Sequence, residues 1–152
     1  MAITITNAMP TSFKVELLLA THNFGNPGGN TFKLALFKAA AAGSGTFGAA
    51  TTNYSDMGSD ELPDATGGYD RPGKTLSSVT PTASGTTAIT DFADVTWSAA
   101  TFTTSGALLY NSSASGAACA VLTFGGDQSV SSGDFTVQFP AAAAATAIIR
   151  IA

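Results

Sequence analysis

From Thr75 to the C-terminus, short runs of β-branched and aromatic residues alternate with residues that favour tight turns. Segments of strand length that recur about every 8–12 residues between such turns are typical of an antiparallel sandwich or barrel. The pattern therefore predicts a mainly β chain that forms an antiparallel β-sandwich of jelly-roll-like type. The separating turns are Ser84-Gly85, Ser105-Gly106, Asn111–Gly116, Gly125-Gly126-Asp127 and Ser132-Gly133. The predicted strands are Lys74–Thr80, Thr86–Phe92, Asp94–Trp97, Ala100–Thr104, Ala107–Tyr110, Ala117–Phe124, Asp134–Phe139 and Ala147–Ile151.

The N-terminal half contains one helix signal and one strong strand signal. Residues Thr11–His22 carry apolar side chains at helical spacing, and they follow Pro10, which suits the first turn of a helix. The segment Phe32–Phe37 alternates its side chains as a strand with one buried face does. We therefore expect one N-terminal α-helix packed on the sandwich, with residues 1–152 forming a single domain.

Two further segments lack strong periodicity. In residues 1–9, Ile3 and Ile5 alternate with threonines, which indicates a short strand or an extended N-terminal arm. Residues 39–74 form a long excursion rich in small and polar residues, either irregular or concealing short strands near Tyr54–Met57 and Gly68–Leu76. A connection of this length is unusual in a compact domain, which makes it a candidate functional element.

Charge and hydropathy exclude two classes of partner. Six Lys and Arg residues against ten Asp and Glu leave a net charge of −4, which does not favour nucleic-acid binding through phosphate contacts. Residues 95–126 contain no charged side chain, but Thr, Ser and Gly interrupt them throughout, so we expect no membrane span. The segment Met1–Pro10 has neither the basic start nor the apolar core of a signal peptide, so we expect no export.

Two loop motifs could in principle bind a ligand. Gly43–Gly48 reads G-x-G-x-x-G, but the residues after it form a poor helix, so a glycine-rich loop is favoured over a dinucleotide site. Five carboxylates cluster in the excursion, and their spacing does not match a calcium-binding loop, which favours a solvated acidic loop over a Ca²⁺ site. These carboxylates are Asp56, Asp60, Glu61, Asp64 and Asp70.

Catalytic chemistry has few candidate groups in this chain. His22 is the only histidine and Cys119 the only cysteine, and they lie far apart in sequence. Cys119 sits in an apolar run, where a free cysteine usually acts as a small buried hydrophobe. We therefore predict no catalytic residue, no cofactor and no metal ion, and the protein is not expected to be an enzyme.

Several stretches together resemble a group of small structural proteins from the virions of tailed bacteriophages. The resembling stretches are Glu16–Leu18, Thr21–Phe24, Gly29–Phe37, Asp91–Ser98, Gly106–Asn111, Phe135–Pro140 and Ala147–Ile151. The resemblance implies a non-enzymatic virion protein, made in the host cytoplasm. Within that class we expect a capsid decoration, or cement, protein that binds and stabilises the capsid shell, on the capsid surface rather than the tail.

The expected partners are the major capsid protein or other virion proteins, together with further copies of the chain, a trimer being the oligomer expected for this class. The expected contact residues are Ile3, Ile5 and Met9 in the arm, which could add a strand to a neighbour's sheet, and Tyr54 and Tyr69 in the excursion. Exposed tyrosines would also fit the alternative function, a tail- or fibre-associated module that binds a receptor.

Overall fold

A computed structural model describes residues 1–152 as one α-helix, nine strands and three short 3₁₀ segments. The mainly β class, the antiparallel sheets and the N-terminal helix are confirmed. In chain order the elements are β1 (Thr4–Ile5), α1 (Thr11–Leu18), β2 (Phe32–Leu36), β3 (Thr46–Phe47), β4 (Lys74–Thr75), β5 (Ser78–Ser84), β6 (Thr87–Phe92), β7 (Val95–Asn111), β8 (Ala117–Val137) and β9 (Ile149–Ile151). The 3₁₀ segments are Ala40–Ala42, Tyr54–Asp60 and Ser112–Ala114.

Two antiparallel sheets contribute to one hydrophobic core. The larger has the order β4-β2-β7-β8, and the smaller has the order β5-β6-β9. Phe32 and Leu34 from the larger sheet and Phe92 and Ile149 from the smaller belong to the same buried cluster. Phe24 stacks on Phe32 with ring centroids 4.4 Å apart. The aromatic residues therefore fill a sandwich-like interior.

The strands β7 and β8 form one long hairpin rather than several short strands. They have 17 and 21 residues, and they pair from Asn111–Ala117 to Val95–Val137. The predicted breaks at Ser105-Gly106, Gly125-Gly126-Asp127 and Ser132-Gly133 are wrong because irregularities in the ladder absorb residues that elsewhere make turns. The predicted turn at Asn111–Gly116 is correct, and the Asn111 side chain accepts hydrogen bonds from the Ser113 and Ala114 amides there.

The helix is shorter than the predicted Thr11–His22. It ends at Leu18, and Ala20 follows with a left-handed φ of 58°. Of its side chains only Phe13 is fully buried, whereas Leu18 remains 90% exposed. With eight residues in its one α-helix, the chain has no helix of the length and apolar character that a membrane crossing requires.

The N-terminal arm packs on its own chain. β1 pairs in parallel with β3, and Ala8 forms a bridge with Val121 of β8. Ile3 is 7% exposed and belongs to a second buried cluster with Phe37 and Phe47. The expectation that Ile3 lies free for a neighbour is therefore wrong, because its side chain already fills an internal site.

We predict that the arm stabilises the fold through this buried side chain. The substitution Ile3→Ala should lower the free energy of unfolding by about 2–4 kcal/mol, because it leaves a cavity against two phenylalanines. Thr4→Ala is the control: Thr4 is exposed, and its backbone hydrogen bond to Gly45 is unaffected, so we expect a loss below about 1 kcal/mol. Urea unfolding followed by the fluorescence of the buried Trp97 measures both. Equal midpoints for the two variants would show that the arm is not part of the folded unit.

Candidate functional site

One buried carboxylate gathers the polar groups of the excursion. Glu61 is 1% exposed, and it accepts a hydrogen bond of 2.6 Å from the Tyr54 hydroxyl and another of 2.6 Å from the Tyr69 hydroxyl. The Arg71 guanidinium lies 3.4 Å from the same carboxylate, and it also donates to the main-chain oxygens of Glu61 and Leu62. We call the group Tyr54, Glu61, Tyr69 and Arg71 the Glu61 cluster.

The Glu61 cluster is bound to the central strands. The Tyr69 hydroxyl accepts a hydrogen bond of 3.1 Å from the backbone N–H of Leu36 in β2. The ring of Tyr54 stacks on that of Tyr110 in β7 at 4.6 Å, and the Tyr110 hydroxyl donates to the carbonyl of Pro72. All three tyrosines of the chain therefore hold the excursion against the larger sheet.

The tyrosines of the cluster differ from the surface groups expected from sequence. Tyr69 is 0% exposed and Tyr54 is half-buried, so the expectation of two exposed tyrosines is wrong for Tyr69. Its hydroxyl points at Glu61 instead of solvent. Burial, and then the hydrogen bond to Glu61 and its negative charge, raise the pKa of Tyr54 and of Tyr69. Burial and the Glu61 charge also raise the pKa of Tyr110.

The glycine-rich motif binds an anion that belongs to the chain itself. The Asp60 carboxylate accepts hydrogen bonds from the backbone N–H groups of Ser44, at 3.1 Å, and Gly45, at 2.8 Å. A Cβ atom at Gly43 or Gly45 would lie 2.3 or 2.4 Å from an Asp60 oxygen, so the close approach requires glycine. Amides that would meet a pyrophosphate in a dinucleotide site are occupied here by a carboxylate.

The remaining acidic residues of the excursion bind its backbone. Asp56 caps the 3₁₀ segment Tyr54–Asp60: burial opposes its ionisation, but hydrogen bonds from Thr52 and Asn53 outweigh this and lower its pKa. Asp64 accepts a hydrogen bond from the backbone N–H of Arg71. The carboxylates are thus spread along the excursion, and no three His, Cys, Asp or Glu side chains converge in a metal-binding arrangement.

The fold brings His22 and Cys119 together, although they lie 97 positions apart in the sequence. His22 Nδ1 lies 3.8 Å from the Cys119 Sγ and 3.0 Å from the Asn111 Nδ2, and its Nε2 lies 2.9 Å from a Glu16 oxygen. Because Asn111 uses its oxygen to cap the hairpin turn, its Nδ2 donates to His22 Nδ1. With Nδ1 accepting, the Nε2–H of the ring donates to the Glu16 carboxylate.

Cys119 and His22 are the residue types of a cysteine nucleophile and its general base. The surroundings of Cys119, however, do not favour the reactive thiolate. Cys119 is 0% exposed, and burial, followed by the charge of Glu16, raises the pKa of its thiol. The His22 ring lies 4.9 Å from that of the buried Phe13 in α1. The contacts of His22 therefore hold the helix and the loop that follows it against the larger sheet.

The exposed side of α1 carries an apolar area. Val15, Leu18 and Leu19 are 53%, 90% and 71% exposed. Ile151 is 59% exposed, and it lines a mostly apolar depression together with Leu17 of the helix. We call Val15, Leu18, Leu19 and Ile151 the helix patch. Contiguous exposed hydrophobic side chains of this kind commonly mark an interaction surface.

A groove opens between the arm, β8 and the C-terminal segment. Its volume is about 480 Å³, and no charged side chain lines it. Its larger apolar lining residues are Met9, Leu122, Phe124, Phe139 and Ile148. Of the expected arm contacts, Met9 thus lies at this groove, half-buried, and Ile5 is half-buried against the second cluster. We call this depression the C-terminal groove.

The outer half of the β8 edge has no partner strand. Near the hairpin turn the edge is covered by Thr52, Ala8 and Asn7, which bond to Ala118, Val121 and Thr123. From Gln128 to Thr136 the strand pairs only with β7 and is largely exposed. This open edge offers backbone N–H and C=O groups to another strand.

No family model matches the chain, and no curated protein or solved structure matches it either.

We predict that the buried tyrosines make the fold sensitive to alkaline pH. Because their pKa values in the folded state lie above the ordinary value of about 10, their contribution to stability is complete below about pH 10 and is lost as the pH rises further. Urea unfolding from about pH 8 to about pH 12 should show the free energy of unfolding falling as the pH rises. In Tyr69→Phe, this free energy should fall less steeply with pH.

The comparison should be made in a Cys119→Ala background, since the buried thiol titrates in the same direction at high pH. Identical slopes with and without the Tyr69 hydroxyl would contradict the assignment of the alkaline transition to the Glu61 cluster.

Proposed function

We propose that the protein is a non-enzymatic structural protein of a tailed-bacteriophage virion, and that it decorates and stabilises the capsid shell. The observation that carries the proposal is the open edge of β8, residues 128–136, on a chain with only 11% charged residues. The sequence resemblance to small virion proteins supports the same class. The partner is the major capsid protein or another virion protein.

The open edge suits binding to a shell by strand addition. An extended segment of a capsid subunit that pairs with β8 would gain main-chain hydrogen bonds, and it would meet few charged groups that must lose water. The edge belongs to a long hairpin that is already ordered, so binding does not have to order it. Many such modest contacts, one for each copy, together would oppose outward pressure on the shell.

In this proposal the N-terminal arm has a different role from the one expected from sequence. Its strand β1 is already paired with β3, and Ile3 is buried, so the arm does not offer itself to a neighbour. By covering the first part of the β8 edge, it leaves only the outer part for a partner. In this proposal the protein receives a strand rather than donating one.

The side chains that could perform catalysis are engaged in internal contacts, which supports a structural role. Asp60, Glu61, His22 and Cys119 are all buried in internal hydrogen-bonded clusters. The tail- or fibre-associated alternative drew its support from exposed tyrosines, and the burial of Tyr69 removes much of that support.

The experiment is a measurement of copies per particle, relative to the major capsid protein, after purified protein is added to undecorated particles. We expect a ratio near one or a simple large fraction of it. The double variant Gln128→Lys, Ser131→Lys places charges on the open edge and should reduce the ratio at least about tenfold. The control Thr82→Lys, Ala83→Lys adds the same charges to exposed positions of β5 and should bind normally.

A few copies per particle would place the protein in the tail or fibre and overturn the decoration proposal. Full occupancy by the β8 variant would reject the open edge as the contact. Absence of the protein from both natural and reconstituted particles would reject a virion role.

A further inference from the structure

We propose that copies of this chain associate head to tail, with the helix patch of one copy seated in the C-terminal groove of the next. This inference concerns contacts between copies and does not depend on the proposed attachment of the β8 edge to a shell.

The helical part of the helix patch has a free charge beside it. Lys14 is exposed one helical turn before Leu18, so the two side chains are neighbours on the helix surface. The other charged residue of α1, Glu16, is bonded to His22 inside the chain. The patch is therefore a set of protruding apolar side chains with the cation Lys14 beside its helical part.

The C-terminal groove has the complementary properties. A cavity of roughly 150 Å³ holds a benzene molecule, so a groove of about 480 Å³ has room for the side chains of Leu18 and Leu19. Asp94 lies at its margin, because its Oδ1 accepts a hydrogen bond of 2.9 Å from the backbone N–H of Phe139 in the groove wall. Asp94 is exposed, and its side chain forms no ion pair within the chain. Docking would bring this anion towards Lys14 beside the patch.

The two surfaces are separate on one molecule. Ile148 lines the groove, whereas the next residue, Ile149, lines the depression beside the helix patch. A contact between two different surfaces leaves one patch and one groove free at the ends of every pair, so further copies can join until the assembly closes as a ring or extends as a filament. A second copy is the occupant that the chain favours, since the chain itself supplies both the apolar shape and the opposite charge.

The test uses two variants that each remove one surface. Leu18→Asp places a charge in the patch, and the double variant Asp94→Lys, Gln138→Lys places positive charge at the groove; all three residues are exposed. Analytical ultracentrifugation should find the native chain associated, and each variant alone should associate at least about tenfold more weakly. The Thr82→Lys, Ala83→Lys chain is the control and should associate like the native chain. Circular dichroism and thermal unfolding establish that each variant is folded.

Mixing the two variants gives the decisive result. The groove of the Leu18→Asp chain and the patch of the groove variant are both intact, so the mixture should form a 1:1 dimer and nothing larger. Three results would overturn the proposal: a native chain that is monomeric at every concentration, a mixture that stays monomeric while the native chain associates, or full association of either variant alone. The last result would indicate a symmetric contact through a single surface.

Discussion

The hydrogen bonds from Tyr54 and Tyr69 to the carboxylate of Glu61 are the interaction on which the order of residues 39–74 depends. A carboxylate buried without partners is costly by several kcal/mol, so its presence at 1% exposure requires the donors that surround it. Those donors come from both sides of Glu61 in the sequence, and one of them also binds the backbone of β2. The cluster therefore turns a long, polar and weakly periodic segment into a fixed part of the sandwich.

Further parts of the structure follow from the same anchor. Asp60, next to Glu61, holds the loop Gly43–Gly45 through two backbone amides. That loop leads into β3, on which the N-terminal arm pairs and Ile3 packs. The arm in turn covers the inner part of the β8 edge. The location of the open edge is thus linked to a buried carboxylate through a chain of direct contacts.

Sequence patterns predicted the fold class, the helix and several strands because these depend on local periodicity and on turn-forming residues. They misjudged β7 and β8, since Ser105-Gly106 and Gly125-Gly126 make turns in some contexts and ladder irregularities in others, and only the pairing strand decides between them. The residues next to Tyr69 in the chain are polar and suggested that it is exposed. Its side chain is instead buried, with its hydroxyl hydrogen-bonded to Glu61 and to the Leu36 amide. The approach of His22 to Cys119 across 97 residues has no local signature. The apolar Leu62 beside Glu61 was the one sequence hint that this acidic segment enters the core.

The most direct test of the account is backbone amide exchange in the native chain and in Glu61→Gln, with the amides of β6 as an internal reference. In the native chain, we expect the amides of Leu36, Leu62 and Arg71 to exchange as slowly as those of β6, because each is hydrogen-bonded within the fold that the Glu61 cluster fixes. In Glu61→Gln, we expect the excursion to lose this protection while β6 keeps it. Rapid exchange of the excursion's amides in the native chain would contradict the central role of the buried carboxylate. Equal protection of these amides in the native chain and in Glu61→Gln would contradict it as well.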